Sequence, residues 1–153
     1  MATNPPRTAC YFDGACPRNQ FGTKGPMKAA YVVDGVGTVR DVDDLETSTG
    51  RIRSNNVAEY QALILLLDHL RKRDQALGAR GRYRIHGDSQ LVVRQMVGEY
   101  RVTQLHLQML HAKATDLAAV LDVEFRWIPR GENPAGRLLE TKNRRDKKAT
   151  REN

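Results

Sequence analysis

The sequence predicts a single α/β domain, a mixed five-stranded sheet flanked by helices. Three segments with strand-like alternation come first in the chain, and helical periodicities interrupted by two further short strands follow them. With 153 residues and 40% hydrophobic content, the chain has the size and composition expected for one hydrophobic core.

The first three strands are predicted from short apolar and aromatic segments. Residues 7–12 alternate in polarity and contain Tyr, Phe and Thr, so this strand is expected to end at Asp13, where an Asp-Gly pair follows. Residues 27–33 and 38–45 form the next two strands, joined by a second Asp-Gly turn. Three consecutive strands of this kind indicate an antiparallel meander.

The apolar period then changes to that of a helix. From Asn56, apolar residues form a wide helical face over about four turns, which ends near Gly78. The elements predicted after it are a strand at 83–87, helices at 89–97 and 105–121, a strand at 123–128 and a last helix from near Asn133.

The charge of the chain favours a polyanionic partner. The formal net charge is +7, and Lys and Arg side chains supply sequence-independent affinity for phosphates. Residues 141–153 carry six Lys or Arg against two acids, which is compatible with either a binding arm or a solvated chain end. We expect a disordered segment at 1–6, a single domain at 7–140 and a basic tail or helix extension at 141–153.

Composition argues against membrane and disulfide-rich classes. No segment approaches the ~18–20 apolar residues of a membrane span, and the first residues lack the apolar core of a secretory signal. We expect a cytoplasmic protein that does not associate with membranes. Its two cysteines, Cys10 and Cys16, follow no metal-ligand spacing, so we expect reduced thiols, with Cys10 in a core strand.

Three acidic residues, Asp13, Glu59 and Asp88, lie at the edges of predicted elements in three separate segments. Each has a structural alternative: a turn for Asp13, a capping box with Asn56 for Glu59, and a helix cap for Asp88. Two of these acids end strands that could be neighbours, and Glu59 lies in the first turn of a helix that could pack across them. If they converge, they form the oxygen-rich kind of site that Mg²⁺ prefers.

The segments around these acids are more specific than the acids alone. Residues 11–15, 54–63 and 87–93, in this order, resemble the three motif blocks of type 1 ribonuclease H, and residues 94–100 and 127–133 also match. The resemblance covers roughly residues 7–140. It implies the ribonuclease H-like fold, with three antiparallel strands followed by two parallel ones. The form expected lacks the basic protrusion and the N-terminal hybrid-binding domain of some members.

The resemblance implies an endoribonuclease that hydrolyses the RNA strand of RNA–DNA hybrids with two Mg²⁺ or Mn²⁺ ions, leaving 5′-phosphate and 3′-hydroxyl ends. Asp13 would bridge both ions, and Glu59 and Asp88 would complete the shell on the leaving-group side. The polar side chains that match the family's contacts to the hybrid are Ser54, Asn55, Asn56, Ser89 and Gln90. Asn19 is a further candidate contact, and we expect the protein to act as a monomer.

One position departs from the family pattern. The fourth metal ligand is normally an Asp in an Asn-x-x-Ala-Asp pattern, and here either Gly136 or Arg137 stands in its place, depending on the alignment. Glu140, one turn further along the last helix, is the leading replacement, unless it is a surface residue paired with Arg137 or Arg144. The alternative function is a hybrid-binding module with weak or no turnover, because the fourth carboxylate is absent.

Overall fold

The computed structural model describes residues 5–17 and 25–141, and a five-stranded sheet lies at its centre. The elements in chain order are β1 (Thr8–Ala15), β2 (Met27–Val33), β3 (Val36–Val42), β4 (Leu45–Thr47), β5 (Gly50–Ile52), α1 (Asn55–Leu77), β6 (Arg82–Gly87), α2 (Gln90–Met96), α3 (Leu105–Ala118), β7 (Asp122–Trp127) and a last helix, α4, described over 134–141. The strand order is β3-β2-β1-β6-β7, with β1 to β3 antiparallel and β1, β6 and β7 parallel. The predicted mixed sheet is therefore confirmed.

Helix α1 and helix α4 cover opposite faces of this sheet. The apolar side of α1 is buried with α3 in the main core, where Cys10, as expected, is fully buried. On the other face, Ala135 and Leu139 of α4 pack with Ala30 and Val32 of β2 in a smaller cluster. This two-sided arrangement brings the first turn of both helices close to the same end of β1.

Helix α1 ends near Gly78 as predicted and begins at Asn55, one residue before the predicted start. The Ser54 hydroxyl caps the first turn by accepting a hydrogen bond from the Val57 amide at 3.2 Å. Gly78 ends the helix with φ of 64°, a left-handed conformation that favours glycine. Since the cap is Ser54, Glu59 lies beyond the position of a capping box, and that alternative is wrong.

Three details of the predicted strands are corrected. Strand β1 does not end at Asp13, because it continues to pair with β2 through Ala15 opposite Lys28. The third strand ends at Val42 instead of residue 45. The residues that follow form the hairpin of β4 and β5, which was not predicted because each strand has only three residues, too few to show a period.

Two expectations concern residues outside the described ranges: the contact by Asn19 and the behaviour of the tail from residue 142 onwards. Over residues 5–17 and 25–141, no helix has the length and apolar character needed to cross a membrane.

Candidate active site

The three acids come together at one end of the sheet. One carboxylate oxygen from each of Asp13, Glu59 and Asp88 lies within 4.8 Å of the other two. We call this group the carboxylate cluster. The parallel register of β1 and β6 explains part of it, because Tyr11 pairs with His86 and the two aspartates each lie two residues further along. Asp88 follows the last residue of β6 and precedes Ser89, which caps α2, so the alternative of Asp88 as the helix cap is wrong.

Glu59 reaches the cluster because the backbone of α1 approaches β1 very closely at Gly14. A Cβ atom on Gly14 would lie 2.2 Å from the Ala58 carbonyl carbon and 2.4 Å from the Glu59 amide nitrogen. These contacts are far shorter than any side chain allows, so this packing requires a glycine. The Asp13-Gly14 pair thus places a carboxylate on β1 directly beside a residue small enough for α1 to pack against it.

The electrostatics of the cluster indicate a site for a cation. Asp13 and Glu59 are only 6% and 7% exposed, and Glu59 Oε2 is buried without a hydrogen-bond partner. Burial, followed by the hydrogen bond to Asp13 and the charges of Asp13 and Asp88, raises the pKa of Glu59 well above its usual range. Burial is also the largest cause of the raised pKa of Asp13. The cluster offers only oxygen donors, one of them without a hydrogen-bond partner, which fits a hard divalent cation such as Mg²⁺ or Mn²⁺. Such a cation would offset the repulsion among the three carboxylates.

Asn133 is a fully buried residue that joins the cluster to α4. Its Nδ2 donates to Asp88 Oδ2 at 2.9 Å and to the Phe12 carbonyl at 3.0 Å, while its Oδ1 accepts from the Ala135 amide at 3.1 Å. One side chain therefore orients the Asp88 carboxylate, binds β1 beside Asp13 and caps α4. The indole of Trp127 adds a hydrogen bond to the Asp88 carbonyl at 3.0 Å.

Replacing Asn133 with Ala should lower the free energy of unfolding by about 2–3 kcal/mol, because a buried carbonyl and a helix end lose their partner. Urea denaturation monitored by circular dichroism measures this loss. Asn55→Ala is the matched control, since Asn55 is exposed and makes one hydrogen bond, from the Cys16 amide at 3.1 Å. Equal losses in the two variants would contradict the structural role of Asn133.

Gly136 faces the carboxylate cluster from α4. A Cβ atom at this position would lie 3.1 Å from Asp13 Oδ2 and 3.9 Å from Asp88 Oδ2. Arg137 is exposed and donates to the Gly131 carbonyl at 2.8 Å. Of the two alignments, the structure therefore selects the one that puts Gly136 in the place of the fourth ligand. Glu140 is exposed on α4 and is not among the described acids that form the cluster.

The polar residues expected to contact a hybrid lie at the first turns of two helices beside the cluster. Ser54 and Ser89 cap α1 and α2, and each hydroxyl accepts an amide hydrogen bond at 3.2 Å. Each hydroxyl still has a proton to donate. Asn55 and Gln90 are exposed and Asn56 is partly exposed, so their amide groups can reach a ligand.

Comparison with known proteins agrees with this geometry. The sequence model described as reverse transcriptase-like matches residues 38–139, which is most of the chain and includes Glu59, Asp88 and Gly136. The chain belongs to the reverse transcriptase-like family. The chain is also similar in sequence to the bifunctional protein Rv2228c of Mycobacterium tuberculosis, with 34% identity over 113 residues. That match covers 73% of this chain and 29% of the relative, so the chain spans less than a third of that protein's length.

Solved structures extend the likeness to the fold. The RNase H1 of the halophilic archaeon Halobacterium salinarum superimposes with a TM-score of 0.64 at 28% identity, covering 85% of this chain and 91% of that one. LC11-RNase H1, isolated from compost and solved in complex with an RNA/DNA hybrid, gives 0.66 at 28% identity, covering 84% and 89%. The resemblance to type 1 ribonuclease H is thus confirmed, and this member of the reverse transcriptase-like family shares its fold with solved ribonuclease H1 structures.

Sequence reasoning missed the roles of Gly14 and Asn133 at this site. The sequence pattern at Gly14 indicates a turn, and the pattern at Asn133 indicates only a helix start within a segment that matches the family. Both roles depend on partners distant in the chain, since Asn133 and Phe12 are 121 residues apart. An Asn directly before a Pro at a helix start indicates the cap but gives no sign of the other two hydrogen bonds.

Proposed function

We propose that this protein is a divalent-metal-dependent endoribonuclease that hydrolyses the RNA strand of RNA–DNA hybrids. The observation that carries the proposal is the convergence of Asp13, Glu59 and Asp88 around an unpaired buried carboxylate oxygen. The hybrid bound by the relative LC11-RNase H1 supports this choice of substrate. The net charge of +7 supports a polyanionic ligand.

The three acids would hold the metal ions. When bound, the ions would lower the pKa of a coordinated water and stabilise the leaving oxygen, giving 5′-phosphate and 3′-hydroxyl ends. Asn133 would keep the Asp88 carboxylate oriented toward the cluster through its hydrogen bond to Oδ2. The chain's own contribution is therefore a preorganised set of carboxylates whose mutual repulsion a cation relieves.

Discrimination between RNA and DNA would come from the helix starts beside the cluster. Hybrids display 2′-hydroxyl groups in a shallow minor groove, which short polar side chains can contact. Ser54, Asn55 and Asn56 lie at the start of α1, and Ser89 and Gln90 lie at the start of α2. Together, the polar residues at these two helix starts would fix the position of the scissile phosphate relative to the acids.

The test is cleavage of a labelled hybrid in parallel with double-stranded RNA and duplex DNA, with Mg²⁺ or Mn²⁺. We expect the hybrid to be cut preferentially, and the products to be extended by poly(A) polymerase, which requires a 3′-hydroxyl. No metal-dependent cleavage of any substrate by a clean preparation would overturn the proposal. Preference for another duplex would retain a nuclease but reject the substrate.

A hybrid-binding module with weak or no turnover is the second candidate, and Gly136 is the observation that favours it. Without a carboxylate at this position, the metal site would have fewer protein ligands than the pattern implied by the ribonuclease H resemblance. This alternative predicts salt-dependent hybrid binding with no product, whereas the enzyme predicts turnover, with Mn²⁺ more effective than Mg²⁺.

Gly136→Asp is expected to lower the Mg²⁺ concentration needed for half-maximal cleavage by about 10-fold, equivalent to ~1.4 kcal/mol. Gly136 lies in α4 and its φ is not positive, so the backbone can accommodate a residue with a side chain. That side chain would point toward Asp13 and Asp88. Calorimetric titration of Mn²⁺ without nucleic acid gives the same comparison independently of turnover.

Gly136→Ala is the matched control because it adds the Cβ atom without a carboxylate. It should leave the metal requirement unchanged or raise it slightly, since this atom would be 3.1 Å from Asp13 Oδ2. If the Asp and Ala variants bind Mn²⁺ alike, Gly136 does not occupy the fourth ligand position.

A further inference from the structure

Arg53 is a mostly buried residue between β5 and the cap of α1, with 14% of its side chain exposed. Its Nη2 atom donates to the carbonyls of both Pro17, at 3.2 Å, and Gly25, and its Nη1 donates to Asp44 Oδ1 at 3.3 Å. Pro17 and Gly25 flank residues 18–24 of the β1–β2 connection. A single guanidinium therefore ties both ends of this connection and the β3–β4 turn to the start of α1.

The residues next to Arg53 extend the same network. Ser54 caps α1, and Asn55 Oδ1 accepts from the amide of Cys16, the residue before Pro17. The segment proposed to contact the hybrid is thus hydrogen-bonded to Cys16 and Pro17, the two residues that directly follow β1. Asp13 lies on β1 only three residues before Cys16. These hydrogen bonds therefore also set the distance between Ser54 and Asn55 and the carboxylate cluster.

We propose that Arg53 is a positioning residue for hybrid binding, which orients Ser54 and Asn55 by holding them against both ends of the β1–β2 connection. The inference rests on the proposed function. Side chains held in their bound arrangement before the ligand arrives lose less entropy on binding, so affinity depends on the tie. Arg53 itself is occupied by protein acceptors and does not need to touch the nucleic acid.

Arg53→Lys tests this role without changing the net charge. A lysine keeps the positive charge but lacks the planar fork that reaches two carbonyls and a carboxylate together. We expect the hybrid dissociation constant to rise about 10-fold. The salt dependence of binding, the Mn²⁺ affinity of the protein and kcat at saturating hybrid should stay within about 2-fold of the wild type, because the phosphate contacts and the carboxylate cluster are untouched.

Arg7→Lys is the matched control. Arg7 is similarly buried, with 18% of its side chain exposed, and it also combines carboxylate and carbonyl partners, at Asp122 and Tyr83. It lies at the opposite end of β1 from the cluster. We expect its hybrid dissociation constant to equal that of the wild type, so a shared loss in both variants would overturn the inference. An unchanged dissociation constant in Arg53→Lys, or a fall in kcat alone, would also overturn it.

A second variant covers the case in which Arg53→Lys does not fold. Asp44→Asn keeps Arg53 and weakens one of its three contacts, and we expect hybrid binding about 3-fold weaker. Removal of a negative charge by itself would strengthen binding to a polyanion, so weaker binding reports the loss of positioning. Unchanged or stronger binding would reject the role of Arg53. Absence of hybrid binding by the wild type would instead reject the proposed function, and this inference with it.

Discussion

Replacing Asp13 with Asn is expected to reduce hybrid cleavage at least ~10³-fold, about 4 kcal/mol of barrier. Asp13 is hydrogen-bonded to Glu59 and feels the charge of Asp88, and it is one of the three carboxylates that would hold the metal, so its loss should affect every metal-dependent step. Hybrid affinity should be unchanged or stronger, because an asparagine removes a negative charge that faces the phosphates. The metal-free protein should be no less stable than the wild type, since the substitution removes a buried negative charge that lies close to Asp88.

Steady-state cleavage and fluorescence anisotropy on the same hybrid measure the two quantities separately. Asp116→Asn is the matched control, because Asp116 is exposed on α3 and its replacement removes the same charge away from the cluster. Cleavage by Asp13→Asn within 10-fold of the wild type would show that the carboxylate cluster is not the catalytic centre.

The second large effect is expected at Gly14, where Ala should destabilise the fold by about 3 kcal/mol or more. The added Cβ would meet the backbone of Ala58 and Glu59, which cannot rotate away as a side chain can. Helix α1 would have to move outwards and lose part of its packing against β1. The same movement would withdraw Glu59 from Asp13, so Mn²⁺ affinity should fall even at temperatures where the variant is folded.

Urea denaturation and calorimetric Mn²⁺ titration measure these two losses. Gly131→Ala is the matched control, because nothing lies within 4 Å of a Cβ at that position and its backbone has no positive φ. Its stability should be within about 0.5 kcal/mol of the wild type. A Gly14→Ala variant as stable as this control would mean that α1 approaches β1 less closely than described.

The sequence was sufficient for the elements whose pattern is local. Helix α1 shows its apolar face over several turns, and β2 occupies Met27–Val33 as predicted. The three acids were identified because each lies in a distinctive segment. Their convergence was inferred from element order and from the family resemblance, and the parallel pairing of β1 with β6 provides its physical basis.

Other features depend on contacts that no local pattern reveals. An Asp-Gly pair is common in turns, so nothing near Gly14 indicates that a helix backbone packs against it. The carbonyls of Pro17 and Gly25 have no sequence preference that would identify Arg53 as their donor. The alignment that places Gly136 at the fourth-ligand position needs a one-residue deletion, whereas the gapless alignment places Arg137 there. Only the direction of the Cα–Cβ bond in α4 distinguishes the two.

The hydrogen bonds of Asn133 have a consequence for the order in which the protein matures. Strand β1, α1 and β6 precede α4 along the chain, and among the described residues the main core includes none from α4. Asp88 gains its orienting partner only when residue 133 returns to Phe12, a closure that spans nearly the whole domain. The main core can therefore form before the Asp88 carboxylate is oriented. The carboxylate cluster would reach its final geometry only when α4 docks on the sheet.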